Sequence, residues 1–89
     1  MDIDHLSAAA RLLYGDDWQR PLARGLGPLH PDGARDSIDD RLVRRWASGE
    51  RPVPGWVRGA VVALLEGEAS ARERQAISLR AQAAALVAR

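Results

Sequence analysis

The sequence predicts an all-α domain of four to five helices. Apolar residues recur at intervals of three and four in several short stretches, as they do on the buried face of a helix. Capping residues and glycines separate these stretches, and almost every residue after position 67 favours helix. Because the chain has 89 residues, we expect one small core of modest stability.

Four short helices and one long C-terminal helix are expected in chain order. Their predicted ranges are 4–14, 17–26, 38–48, 56–66 and 68–88. Gly67 predicts a weak break before the last helix, and the pattern leaves open whether that helix is continuous with the preceding one. The chain is accordingly divided into a domain of residues 1–66 and a C-terminal element of residues 67–89.

Carboxylates and a serine stand where the first three helices are expected to begin. Asp4 is a suitable N-cap for the first helix, and Asp16 or Asp17 for the second. Ser37 or Asp39 would cap the third helix, and the pattern does not distinguish between them.

The first half of the central stretch, residues 18–27, has a compact apolar face. Leu22 and Leu26 lie four residues apart and share one side of a helix, with the small Ala23 beside them. Gly27 follows directly, where a left-handed C-terminal cap favours glycine. A second helix is therefore expected to pack closely on this one.

The second half, residues 38–46, combines an apolar side with a basic one. Ile38, Val43 and Trp46 are predicted to face the core. The residues left on the outer faces are Asp40, Arg41, Arg44 and Arg45. An apolar-backed helix with three outward arginines has the character that a duplex groove requires, although each arginine alone is equally typical of a solvated surface.

Charge is distributed unevenly along the chain. Residues 1–40 carry eight Asp and four Arg, whereas residues 41–58 carry five Arg and one Glu. The positive charge therefore lies on and just after the second helix of the central stretch. This asymmetry is typical of an anionic partner, although by composition alone a solvated arginine-rich face explains it better.

Both halves together resemble the lambda-repressor/Cro-like helix-turn-helix family of bacterial and phage transcription regulators. The matching residues of the first half are Gln19, Leu22, Ala23, Leu26 and Gly27, and those of the second are Ile38, Asp39 and Asp40 to Trp46. The resemblance implies that residues 38–48 form a recognition helix for the major groove of double-stranded DNA. It also implies a homodimer acting as a repressor or autorepressor.

The resemblance, with the charges above, assigns a set of DNA-binding residues. They are Gln19, Arg20, Asp40, Arg41, Arg44, Arg45, Ser48 and Arg51. The three helix arginines would contact guanine edges or phosphates, and the flanking residues would hold phosphates. Asp40 would repel phosphates, but its carboxylate can accept a hydrogen bond from a cytosine amino group.

Residues 28–37 depart from the family pattern. Two prolines and an Asp-Gly pair predict a loop of about ten extra residues, with a turn near Pro31–Gly33. This loop and the acidic N-terminal half favour an alternative: a protein-interaction module, such as an anti-CRISPR-type phage inhibitor, on the same scaffold.

The last helix carries a repeated small and large pattern. Ala69, Ala76 and Ala83 share one heptad position, and Arg72, Leu79 and Leu86 share the other. We expect this segment to pair with a second copy, the alternative being that it folds back onto its own domain or frays.

Catalytic and metal-binding patterns are missing from the sequence. There is no Cys, and His5 and His30 lack ligand partners at metal-site spacing, so both are expected on the surface. No nucleophile motif or phosphate loop is present. We therefore expect a cytoplasmic protein that is not an enzyme, with no cofactor, small-molecule ligand, signal peptide or membrane segment.

Overall fold

Four α-helices form in the order α1 (Ile3–Tyr14), α2 (Gln19–Leu26), α3 (Asp40–Ala47) and α4 (Gly55–Val87). The structure is a computed structural model that describes all 89 residues, and it contains no β-strand. A 3-10 turn, Gly27–Leu29, follows α2 directly, so part of the predicted loop is helical. The all-α class predicted from the sequence is confirmed.

Two of the predicted N-caps are wrong. The cap of α1 is Asp2, whose carboxylate accepts the backbone N–H of His5 at 2.9 Å, and Asp4 lies inside the first turn. The residue before α2 is Trp18, and no side chain caps this helix. Neither Asp16 nor Asp17 therefore has the expected role.

The start of α3 resolves the choice that the sequence left open. Asp39 is the N-cap, and its carboxylate accepts the backbone N–H of Arg41 at 2.9 Å. The hydroxyl of Ser37 instead donates to the carbonyl oxygen of Ile38 at 2.8 Å. The helix begins at Asp40, two residues later than the predicted range.

Twelve apolar side chains from all four helices and their connections form one core. They are Leu6, Ala10, Trp18, Leu22, Ala23, Leu26, Ile38, Val43, Trp46, Val57, Ala60 and Val61. Helix α1 packs against the first half of α4, and α2 packs against α3. The two helices of the predicted motif are therefore neighbours with a shared buried face.

The long connection between α2 and α3 closes on itself. The backbone N–H of Ile38 donates to the carbonyl oxygen of Ala23 at 3.0 Å, and that of Arg35 donates to Gly27 at 3.1 Å. The chain thus returns to α2 before α3 begins. This closure fixes the start of α3 against α2 in spite of the extra residues.

Gly27 is required for a reason other than the predicted one. Its φ of −52° is right-handed, so it is not a left-handed cap. A Cβ on this residue would lie 2.6 Å from both the Arg35 carbonyl oxygen and the Ser37 nitrogen. Glycine is therefore needed because the returning loop passes directly over it.

The loop is also held to the start of α4. The imidazole of His30 packs on the indole of Trp56, with ring centroids 5.1 Å apart. His30 also accepts the backbone N–H of Asp32 through Nδ1 at 3.1 Å. His30 is therefore partly buried, whereas His5 lies on the surface as predicted.

Helix α4 is one unbroken helix of 33 residues, about 50 Å long. The segments predicted as helices 56–66 and 68–88 are therefore continuous, because Gly67 does not interrupt the helix. Only the first part of α4 contributes to the core, through Val57, Ala60 and Val61. The remainder extends past the domain, so the molecule measures 59 Å along its longest axis. None of the helices combines the length and apolar character that crossing a membrane requires.

Candidate nucleic-acid interface

The orientation of α3 is fixed by its apolar side. Val43 and Trp46 are fully buried, and Ile38 is buried just before the helix begins. Because these residues fill the core, the opposite faces of α3 point away from the domain. The burial predicted for all three side chains is confirmed.

The arginines of α3 lie on the outward faces. Arg41, Arg44 and Arg45 are all exposed. The preceding loop does not cover them, because it turns back to α2 and packs on Trp56 instead. The helix therefore presents three accessible guanidinium groups on a rigid support.

Each of these arginines has a carboxylate neighbour. The pairs are Arg41 with Asp39 at 3.4 Å, Arg44 with Asp40 at 3.1 Å, and Arg45 with Glu50 at 3.9 Å. Exposed ion pairs of this kind contribute little to stability. They orient the guanidinium groups without preventing them from binding a phosphate or a base.

Asp40, which was predicted to face outward, is only partly exposed. Its side chain is only 29% exposed, and it lies between Arg44 and the guanidinium of Arg20, 3.8 Å away on α2. The sequence did not predict this contact, because Arg20 and Asp40 are brought together only by the loop that returns the chain to α2. Asp40 thus links α2 to α3, and its carboxylate is already paired with two arginines.

The first turn of α2 offers unpaired donors beside this link. Helix α2 has no side-chain cap, and the backbone N–H groups of Gln19 and Arg20 donate to no acceptor in the protein. Such N–H groups, with the positive end of the helix dipole, suit an anion. The exposed side chain of Arg20 adds a charge at the same place.

The far end of α3 carries the last two predicted residues. The hydroxyl of Ser48 donates to the carbonyl oxygen of Arg45 at 3.1 Å and accepts the N–H of Glu50 at 3.4 Å. Ser48 therefore helps to end the helix. Arg51 is exposed, and its N–H also donates to the Arg45 carbonyl at 3.2 Å.

Charge on this surface is positive after its carboxylates are included. Arg20, the three α3 arginines and Arg51 stand against three carboxylates, which leaves a net charge of +2. The N–H of Arg41 is the main cause that holds the pKa of Asp39 below its usual value, and the Arg41 side chain adds to the effect. The Asp39 and Glu50 pairings were missed from the sequence, although the i, i+2 and turn spacings carry a weak signal for them.

Comparison with protein-family models, curated proteins and solved structures gives no significant match. Function must therefore be inferred from the geometry of α2 and α3.

Proposed function

We propose that this protein is a sequence-specific double-stranded DNA-binding regulator, in which α3 enters the major groove. The observation that carries the proposal is the accessible set of Arg41, Arg44 and Arg45 on a helix whose inner side is locked by Val43 and Trp46. Guanidinium groups recognise guanine edges and phosphates by paired hydrogen bonds. A major groove about 12 Å wide accommodates one α-helix.

Helix α2 supplies the contacts that would set the register on the duplex. The unpaired N–H groups of Gln19 and Arg20 suit a phosphate that flanks the groove occupied by α3. Arg51 suits a phosphate beyond the other end of α3. Backbone contacts on both sides would fix the depth of α3, leaving its arginines to read bases.

The regulator proposed here acts as a homodimer and represses by occupying its site. Two α3 helices of a dimer would enter major grooves separated by one helical turn of about 34 Å, or by a multiple of it, on a pseudo-palindromic site. The proposal includes a cytoplasmic location, where the DNA of a bacterial or phage genome is accessible, and no catalytic activity or cofactor.

The test is duplex binding measured by fluorescence anisotropy at several salt concentrations. The probes are a pool of random duplexes and the DNA upstream of the protein's own gene. We expect affinity to fall steeply with salt, with a slope of about −0.9 for each phosphate contacted. Replacing Arg41, Arg44 and Arg45 by Ala should weaken binding at least 100-fold, because each specific contact contributes about 1–3 kcal/mol.

A matched control removes the same charge elsewhere. Replacing Arg11, Arg35 and Arg74 by Ala also deletes three exposed arginines, none of them on α3. This variant should bind with little change after correction for net charge. Equal losses in the two triple variants, or no duplex binding by the unaltered protein at low salt, would contradict the proposal.

The alternative is a protein-interaction module on the same scaffold. The observation that favours it is the pairing of every α3 arginine with a carboxylate, which gives the surface the mixed charge of a protein interface. A module of this kind, including an inhibitor of the anti-CRISPR type, would bind a protein partner that the α3 triple variant no longer retains. In that case the unaltered protein and the triple variant would both bind duplex DNA weakly and with equal affinity.

A further inference from the structure

The second half of α4 is a helix without a partner in its own chain. From Glu66 onward every side chain is exposed except that of Ala76, which is partly covered. Leu79 and Leu86 are 60% and 67% exposed on this segment. A projecting helix of about 33 Å with apolar side chains along one stripe has the character of an unpaired interface.

The stripe alternates small and large residues in a strict pattern. Ala69, Ala76 and Ala83 recur every seven residues, and Arg72, Leu79 and Leu86 follow them by three. Alternate spacings of three and four keep all six on one face of a two-stranded helix pair. Alanine at every second layer allows a neighbouring backbone to approach closely, and a large side chain can then cover each alanine.

We propose that this half of α4 pairs with the same segment of a second copy, antiparallel, with Leu79 of one chain packed on Ala76 of the other. The proposal deepens the proposed function, on which it rests for the expectation that two copies act together. In this register Leu86 packs on Ala69 and Arg72 lies beside Ala83. Two-fold symmetry gives every contact twice, as in a closed dimer.

Charge supports the antiparallel direction. The positions that flank the stripe carry Glu68 and Glu73 near the domain and Arg80 and Arg89 toward the end of the helix, while Arg72 lies on the stripe and Arg74 faces away from it. Antiparallel pairing brings Glu73 opposite Arg80 on one flank of the stripe and Glu68 opposite Arg89 on the other. Parallel pairing would instead bring Glu68 beside Glu73 of the second copy, where like charges repel.

Charge also selects the register. A shift of seven residues in one direction would place Arg80 opposite Arg80, and a shift in the other direction would place Glu73 opposite Glu73. Neither residue has an ion pair within its own chain, because the one pair on this segment joins Arg72 to Glu68 at 3.0 Å. The proposed register is therefore the one in which both unpaired charges find opposite partners.

An apolar groove at the base of the projection extends the interface. Leu12 and Leu13 of α1 line it together with Leu65 and Ala69 of α4, and Leu12 is 71% exposed. In the proposed register Leu86 of the second copy lies over Ala69, at the edge of this groove. The end of each helix would thus cover Leu12 of the other chain, adding area toward the roughly 800 Å² per partner of a specific interface.

The first experiment measures mass in solution by sedimentation equilibrium of the full chain. We expect a dimer, and we expect the variant Leu79→Asp/Leu86→Asp to be a monomer with unchanged folding of the core. Ile77→Asp is the matched control, because Ile77 is 67% exposed on the same helix but faces away from the stripe. A monomeric unaltered protein, or equal loss of dimer in Ile77→Asp, would overturn the proposal.

The second experiment tests direction and register by cross-linking. The chain has no cysteine, so Ala69→Cys and Leu86→Cys can be introduced singly and the two proteins mixed under mild oxidation. We expect disulfides that join one variant to the other and few within either variant alone. Efficient cross-linking of each variant to itself would indicate parallel helices and overturn the antiparallel arrangement.

Failure of this proposal and failure of DNA binding are distinguishable. A dimer that fails to bind duplex DNA contradicts the proposed function and leaves the helix pairing intact. A monomer that binds duplex DNA through α3 contradicts the pairing alone.

Discussion

The carboxylate of Asp40 lies 3.1 Å from the guanidinium of Arg44, one turn further along α3. The same carboxylate lies 3.8 Å from Arg20 of α2, so one acidic side chain holds arginines from both helices. Asp40 is less exposed than either arginine. It therefore positions two basic groups of the candidate interface while it lowers the local positive charge.

Replacing Asp40 by Asn should strengthen binding to duplexes of random sequence. The substitution removes one negative charge beside the expected phosphate path and releases Arg20 and Arg44. One charge pair near water contributes about 1 kcal/mol, so affinity should rise about five-fold at low salt. Anisotropy titrations measure this gain, and selection from a random pool measures the expected loss of sequence discrimination.

The control for this prediction is Glu66→Gln, which removes an exposed negative charge from α4. It should change duplex affinity less than Asp40→Asn does. If Asp40→Asn instead weakens binding to all duplexes, the predicted increase in affinity is wrong. Asp40 would then favour DNA binding by orienting Arg44 more than its negative charge opposes it.

The N-cap of α3 should make stability depend on pH in the acid range. The backbone N–H of Arg41 and then its side chain lower the pKa of Asp39 in the folded protein. A lowered folded-state pKa stabilises the fold above the unfolded value of about 3.9. This contribution is lost as the pH falls through the folded-state pKa of Asp39.

Two substitutions separate the charge of Asp39 from its capping role. Asp39→Asn keeps a good N-cap that does not titrate, so its unfolding midpoint should fall less than that of the unaltered protein as the pH falls below the unfolded-state pKa of about 3.9. Asp39→Ala loses the cap and should unfold at a lower temperature throughout. Thermal unfolding followed by circular dichroism measures both, and identical pH profiles for the unaltered protein and Asp39→Asn would exclude a role for this carboxylate.

The inner side of α3 was predictable from sequence, whereas the position of Asp40 was not. The spacing of Val43 and Trp46 reports burial directly, because helix periodicity is a local property. The contact of Asp40 with Arg20 depends on how a closed loop returns the chain to α2. No local pattern encodes that return, so the sequence indicated an outward carboxylate.

Two glycines, Gly27 and Gly67, had roles that the sequence pattern did not indicate. A glycine after the last apolar residue fits a left-handed cap, but it fits a close backbone crossing equally well, and Gly27 is the second case. Gly67 resembles a break, yet strong helix formers on both sides outweigh its cost of about 1 kcal/mol. In both cases the deciding neighbours lie beyond the local pattern.

Gly27→Ala should destabilise the protein. The added Cβ would lie 2.6 Å from the Arg35 carbonyl oxygen, so either the loop or the end of α2 must shift. Overpacking of this kind costs about 1–3 kcal/mol, which corresponds to a fall in the unfolding midpoint of at least about 4 °C. Urea and thermal unfolding measure the change.

Gly59→Ala is the matched control for this loss. Gly59 lies in α4 with nothing within 4 Å of an added Cβ. The same substitution there should stabilise the protein by up to about 1 kcal/mol, because alanine favours helix. A loss in Gly59→Ala as large as that in Gly27→Ala would mean that the crossing of the loop over Gly27 is not the cause.

Gly67 connects the domain to its projecting helix, and its substitution tests whether α4 is continuous. An added Cβ there meets nothing within 4 Å, so Gly67→Ala should strengthen the helix by up to about 1 kcal/mol. Amide hydrogen exchange should then slow on both sides of position 67.

Gly67→Pro should have the opposite effect, because proline removes a helical hydrogen bond and costs about 3 kcal/mol. All buried core residues of the domain lie before position 62. The domain of Gly67→Pro should therefore remain folded while amide hydrogen exchange beyond position 67 becomes fast. Exchange that is equally fast beyond position 67 in the unaltered protein and in Gly67→Pro would mean that the segments move independently. The projecting helix would then be unable to hold a second copy at a fixed distance from α3.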